Sequence, residues 1–432
     1  MSGDVNESTD VFVHDQQTGE TTRVSISSTG AEGNGNSSGS RISGDGRLIA
    51  FWSSASNLVP QDTNETTDVF VHDRETGETR RISVDSDGNQ GAGDNTFESI
   101  NYVVSISDDG RYVAFGSRAN LVTGETGTGL RTYVHDLQTS QTYLVIRNCW
   151  EPSISADGRY VACTSLAAVF VNDRQTGETT QVSVNSAGVK GDGTSYGPSI
   201  SGNGRFTAFQ SVAVNLVEGD SNDHHDVFVH EMATGETLRV SVDSNGYQIA
   251  GDSLWPNISA DGRFVVFLSD DLNGINGIFI NDRLTGETNE LTVNSDGEQP
   301  NGRSNARPSI SADGRFVAFA SRASNLVSHD TNGFADIFIR DRGQQAKAPA
   351  SVVCGDLHPA GGGNGDVNVL DALRALNIAV GSVTPDSREL KAGDVHPALS
   401  DPAGDGDIDV LDALRILKES VGLVTSTSCG GP

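Results

Sequence analysis

The chain has 432 residues, with 58 acidic against 29 basic side chains and a formal charge of −29 with its nine histidines neutral. A field of that sign repels nucleic-acid phosphates and anionic lipid surfaces, both of which are bound through Lys/Arg clusters that this sequence lacks, so neither is an expected partner. Fifty glycines and the absence of any ~20-residue apolar run speak against membrane insertion; they point to short strands and turns in a chain long enough for two domains.

The opening MSGDVNESTD has neither the basic nor the apolar segment of a secretory leader. A hairpin with a TGE turn follows, DVFVHDQQTGETTRVSIS, and it recurs from Asp68, Thr132, Val169, Asp226, Ile278 and Asp336. A second hairpin, with the consensus PSISADGRYVAF, precedes each recurrence, with tight turns ending at Gly46, Gly110, Gly158, Gly204, Gly262 and Gly314. Four strands per 46 to 64 residues cannot bury both faces of one small sheet, whereas radial stacking of such sheets can. The expected fold is mainly β: a propeller over residues 1–342 with six blades plus an N-terminal half-blade, six- or seven-bladed in count. The alternating motifs resemble the TolB-type β-propeller, whose repeats carry an SxDGxxIAF hairpin followed by an (I/V)(Y/F)VxDxxTGE hairpin. A parallel β-helix fits less well, because its rungs are shorter and do not alternate two hairpin types. The half-blade either completes the ring with the C-terminal end or marks a start cut off with its export signal; truncation is the preferred reading.

Within the repeats, four loops carry Asp, then Asn, then Asp: Asp4/Asn6/Asp10, Asp62/Asn64/Asp68, Asp220/Asn222/Asp226 and Asp330/Asn332/Asp336. Such oxygen clusters suit calcium, although Asx-turns explain them as well. Histidines 14, 72, 135 and 230 recur at one strand position, which fits a repeated structural role; His224 and His225 are a lone variant. Trp150, Tyr196 and Trp255 lie near the starts of inner strands, where they either pack or line a sugar-binding mouth. Cys163 stands where sibling repeats have Phe51, Phe115, Phe209, Phe267 and Phe319, and Cys149 falls on the adjoining strand, so a disulfide is expected between them.

After a linker at 343–352, residues 353–432 hold two near-copies, NGDVNVLDALRALNIAVG and GDGDIDVLDALRILKESVG, offset by 41 residues. Asn364, Gly365, Asp366, Asn368 and Asp371 fall at positions 5, 6, 7, 9 and 12 of a calcium loop, as do Asp405, Gly406, Asp407, Asp409 and Asp412. A small all-α, EF-hand-like domain is expected, each helix ending at Gly381 or Gly422. The pattern resembles the type I dockerin family, which implies two Ca²⁺ sites and a cohesin-like partner. The first ligand stays open between two registers. An ungapped count selects Asp401 in the second loop but Ala360 in the first, while an insertion would select Asp356 and Asp394. By the same resemblance Val369, Leu370, Val410 and Leu411 face the partner; they are apolar where family members often carry hydroxyls, and Leu370 and Leu411 have helix packing as their rival role. Cys354 and Cys429 flank the module and are expected to clasp its ends. Disulfides imply an oxidising compartment, extracellular or at the cell surface. The function expected from sequence is a non-catalytic binding protein whose propeller presents a surface to a carbohydrate or protein. A carbohydrate-active enzyme with a delivery module is the first alternative and a structural surface protein the second.

Overall fold

The computed structural model describes residues 5–91, 104–270, 276–304 and 306–343. The chain divides into two units, Met1–Arg342 and Gly343–Pro432, and all but one of the described residues belong to the first. The expected calcium ligands from Asp356 to Asp412, the partner-facing Val369, Leu370, Val410 and Leu411, and Cys354 and Cys429 lie outside the described residues.

Among the described residues there are strands and no α-helix. Phe12–His14 and Thr21–Arg23 pair as a half-blade. Blade 1 is Ser37–Ile42, Leu48–Ser53, Asp68–Asp73 and Thr79–Arg81; blade 2 is Val104–Ile106, Tyr112–Ser117, Arg131–Asp136 and Gln141–Arg147. Blade 3 is Trp150–Ile154, Tyr160–Ser165, Ala168–Asp173 and Thr179–Gln181; blade 4 is Ser195–Ile200, Phe206–Ser211, Asp226–Glu231 and Thr237–Arg239. Blade 5 is Ser253–Ile258, Phe264–Asp270, Asn276–Asp282 and Thr288–Glu290, and blade 6 has three strands, Ser309–Ile310, Phe316–Ser321 and Asp336–Asp341. Each sheet is antiparallel and follows chain order.

The Ser-x-Asp-Gly-Arg signature, with Asn203 in place of Asp in blade 4, builds the turn between the first two strands of each blade. In blade 3, Ser155 Oγ donates to Asp157 Oδ1 (2.6 Å), which also accepts the Arg159 N–H (3.0 Å), while Gly158 takes a φ of 70° that side chains with a Cβ resist. Arg159 then reaches the end of the third strand and donates through Nε and Nη2 to both oxygens of Asp173, at 3.0 and 2.6 Å. The same fork joins Arg47 to Asp73, Arg111 to Asp136, Arg263 to Asp282 and Arg315 to Asp341. The hydrogen bonds from Arg159 hold the Asp173 carboxyl at about 2, below its ordinary 3.8. A depressed carboxyl stabilises the fold above its ordinary value and loses that contribution as pH falls through the folded value. The urea midpoint is therefore expected to drop as pH falls from 3.8 towards 2, and to drop less in Arg159→Gln.

Packing within blades centres on one cross-strand pair of rings. Phe51 with Phe70, Phe115 with Tyr133, Phe209 with Phe228, Phe267 with Phe279 and Phe319 with Phe338 have centroids 5.7–6.1 Å apart. In blade 3 the strand partner of Phe170 is Cys163, disulfide-bonded to Cys149 with Cα atoms 5.8 Å apart, as expected from the sequence.

Adjacent blades are joined by repeated contacts. The turn glycine of one blade lies against an aromatic ring of the preceding one: Gly158 on Tyr112, Gly204 on Tyr160, Gly262 on Phe206 and Gly314 on Phe264. Arg174, Arg283 and Arg342, from the glycine's own blade, lie over Tyr112, Phe206 and Phe264 at 4.1–4.5 Å from the ring centres. The recurrent histidines serve a second joint. His72, His135 and His230 meet Thr79, Thr142 and Thr237 through Nδ1 at 2.9 Å, and each threonine hydroxyl donates to a carbonyl of the preceding blade or half-blade, at Ile26, Val84 and Val184. Asn172 and Asn281 replace histidine and donate to threonine in the same way, so the position requires an N–H donor. Burial lowers the histidine pKa values, that of His135 to about 4, which keeps the rings neutral at physiological pH.

The half-blade docks on blade 1 by this joint, and Val11 and Val24 pack with Ile49, Phe51 and Phe70. It keeps its own two-stranded sheet; exchange into blade 6 does not occur among the described residues.

Candidate functional site

The first strands of all six blades line one channel with a cavity of about 230 Å³. At the turn end, backbone bonds run from blade to blade: Gly44 N to Asp108 O, Asp108 N to Ala156 O, Ala156 N to Gly202 O, Asn203 N to Ala260 O and Ala260 N to Ala312 O. A parallel ladder uses side chains. Ser105, Ser153 and Ser199 hydroxyls and the Asn257 carbonyl accept the N–H groups of Ile154, Ile200, Ile258 and Ile310 at 2.9–3.2 Å. The corresponding position in blade 1 is Arg41, which has no acceptor to offer. Among the described residues no corresponding bond reaches Ile106, and none runs from Ile42 to Ser309 to join blade 1 to blade 6.

In blades 1, 3, 4 and 5 the first strand bulges four residues before the serine that opens the turn. Blades 1 and 4 place Gly39 and Gly197 there, with φ of 63° and 64°, where glycine is at ease. Blades 3 and 5 place Glu151 and Trp255 in the same left-handed backbone, φ 53° and 55°, and blade 6 places Arg307 at the equivalent position. Left-handed backbone at a residue with a Cβ costs roughly 1–2 kcal/mol. Such strain concentrates where side-chain placement serves a function.

These side chains meet. Arg307 Nη2 donates to Glu151 Oε1 at 2.6 Å, linking blade 6 to blade 3, and the pair is largely enclosed, with side chains 26% and 6% exposed. Glu151 Oε2 also accepts the Gly197 N–H at 3.1 Å. The backbone N–H of Trp255 donates to Gln210 Oε1 at 2.6 Å, the Gln210 side chain also bonds Tyr196, and Arg307 Nε is buried without a partner among the described residues. Arg41 keeps contact with solvent in the channel, yet the protein packed around it, and then the charge of Arg307, push its pKa down to about 10; it stays cationic at neutral pH. Beside this group runs a chain from Tyr196 Oη to His225 Nε2 (2.7 Å) and from His225 Nδ1 to Asp252 Oδ1 (3.1 Å). Burial raises the Tyr196 pKa.

The sequence singled out Trp150, Tyr196, Trp255 and the His224–His225 pair, and the structure gathers Tyr196, Trp255 and His225 near one stretch of the channel, linked through Gln210 and Asp252. It did not single out Glu151, Arg307, Arg41 or Gln210. For Glu151, Arg307 and Arg41 the signal was their departure from the Gly and Ser of sibling repeats. In the Asp-Asn-Asp loops, arginines of the fourth strands meet the carboxylates: Arg81 lies 3.0 Å from Asp62 and 3.6 Å from Asp68, and Arg239 lies 3.4 Å from Asp220 and 3.5 Å from Asp226. Arg23 lies 3.0 Å from Asp10, and Asn332 donates to Asp336 in blade 6. Among the described residues, no group of three or more His, Cys, Asp or Glu side chains is placed to hold a metal ion.

No family model matches the sequence, and no curated protein is similar to it. Solved structures are similar in fold. An oligogalacturonate lyase from Vibrio parahaemolyticus is 14% identical, with a TM-score of 0.50 over 78% of this chain and 84% of that one. The β-propeller domain of the Trilobed protease from Pyrococcus furiosus is 13% identical, with a TM-score of 0.45 over 71% of this chain and 83% of that one. TolB from Acinetobacter baumannii is 15% identical, with a TM-score of 0.39; the match covers 64% of this chain and 60% of that one. The described part of the chain is a six-bladed β-propeller carrying an additional N-terminal hairpin.

Proposed function

We propose that the chain is an extracellular, non-catalytic binding protein. Its propeller recognises a carbohydrate or protein ligand at the channel, and its C-terminal module, loaded with two calcium ions, fastens it to a cohesin-like partner. The observation that carries the recognition half is the furnished level of the channel: Glu151 and Trp255 occupy left-handed backbone that sibling blades give to glycine. Attachment rests on the duplicated loop-helix sequence and its dockerin resemblance. The test is a pull-down of cohesin domains by the full chain with and without calcium. Capture is expected in calcium alone, and it is expected to weaken in Val369→Asp/Val410→Asp. Calcium-independent capture, or none, removes the attachment reading.

A second reading is a carbohydrate-active enzyme, favoured by the Tyr196–His225–Asp252 chain beside the channel. Turnover of a polysaccharide by the full chain, abolished in Tyr196→Phe, would replace the first reading with this one.

A further inference from the structure

We propose that the channel is a carboxylate-binding site, in which Arg41 and Arg307 take the anionic group of a ligand whose apolar face rests on Trp255. The inference deepens the recognition reading above and rests on it. Arg41 stands where every other blade has a serine or asparagine, and in most of these that side chain accepts an N–H of the next blade. The substitution therefore exchanges a blade-to-blade bond for a cation in the channel. The bond found for its guanidinium is a donation from Nη1 to the neighbouring Ser40 carbonyl at 3.0 Å. Among the described residues no carboxylate is within salt-bridge distance of it, and the charge that bears on it is Arg307.

Two like charges raise one another's energy, and an anion between them reverses that sign. Arg307 has capacity left for it: Nη2 is committed to Glu151, whereas the Nε donor is buried with no partner among the described residues. Arg41, Arg307 and Glu151 together carry one net positive charge, which matches a monoanionic carboxylate better than a dianionic phosphate. Asp108 also lines the channel, at the turn end against Gly44, and is not among the charges acting on Arg41. Trp255 supplies a half-buried indole in the same lining. The cavity, about 230 Å³, is smaller than the ~300–1,000 Å³ clefts that enclose drug-sized ligands, so it takes one end group rather than a long chain.

The test is calorimetric titration of the full chain with glucuronate and with N-acetylglycine, each beside its uncharged amide. The two acids separate an acidic sugar from a peptide C-terminus as the source of the carboxylate. At least one acid is expected to bind, its amide at least about tenfold more weakly, with a similar loss in Arg41→Ser. That variant restores the residue type of the sibling blades and an acceptor for Ile106, so its melting midpoint is expected not to fall. Acid and amide binding alike, with both lost in Trp255→Gly, would overturn the carboxylate and leave the channel as the recognition site. Binding unaffected by both Arg41→Ser and Trp255→Gly would overturn the site itself. The absence of saturable binding of either acid up to roughly 10 mM, where affinities near 1 mM would register, overturns the carboxylate as well.

Discussion

Gly262→Ala is expected to destabilise the propeller by about 2–5 kcal/mol, combining the cost of left-handed backbone with that of overpacking. Gly262 has a φ of 80°, and a Cβ there would stand 2.1 Å from Cδ2 of Phe206 in the preceding blade. The ring is packed between neighbours that leave it little room, with Arg283 at 4.1 Å and Arg205 at 5.0 Å from its centre. Gly286 provides the comparison, with a φ of 77° and no atom within 4 Å of an added Cβ. Gly286→Ala is expected to cost only the backbone part, about 1–2 kcal/mol. Urea midpoints of the two variants decide the matter. Equal losses would show that the glycine–ring contact does not hold blades together.

Removing the disulfide is the second large effect. Cys149→Ala/Cys163→Ala is expected to cost about 3 kcal/mol, the chain-entropy value for a loop of ~15 residues; the sequence separation is 14. Both cysteines are fully buried, and Cys163 faces Phe170 where the other blades have a second ring, so no cross-strand ring pair remains to substitute for the bond. The double variant should unfold at lower urea concentration than the parent, and reductant should shift the parent towards the variant. A parent whose midpoint is indifferent to reductant would contradict the role assigned to the bond.

The blades were legible in the sequence because each depends on local chemistry. Asp-Gly fixes a turn, alternation fixes the faces, and both recur with the repeat. The Arg of Ser-x-Asp-Gly-Arg recurs just as regularly, yet its partners Asp73, Asp136, Asp173, Asp282 and Asp341 lie at the far end of another hairpin, at separations from 14 to 26 residues. Nothing in the spacing announces that fork. The Glu151–Arg307 pair spans 156 residues and exists because blades 3 and 6 send side chains into one channel. Only the ring geometry brings them together, so no window of sequence contains the signal. The Asp-Asn-Asp loops illustrate a different limit. Their oxygens were evident, but the arginines that answer them, Arg81 and Arg239, come from a strand further along the chain.

Calcium-dependent attachment is tested most directly by circular dichroism of the full chain, since no α-helix occurs among the described residues and a helical signal reports on the rest. Binding of calcium supplies folding free energy to a loop of carboxylates and amides that repel or stay unsatisfied without the ion. The prediction is a helical contribution in calcium that disappears in EGTA and returns when calcium is restored, with the β-sheet signal unchanged throughout and calcium affinity weakened in Asp371→Ala and Asp412→Ala. An identical helical signal in calcium and in EGTA would contradict it.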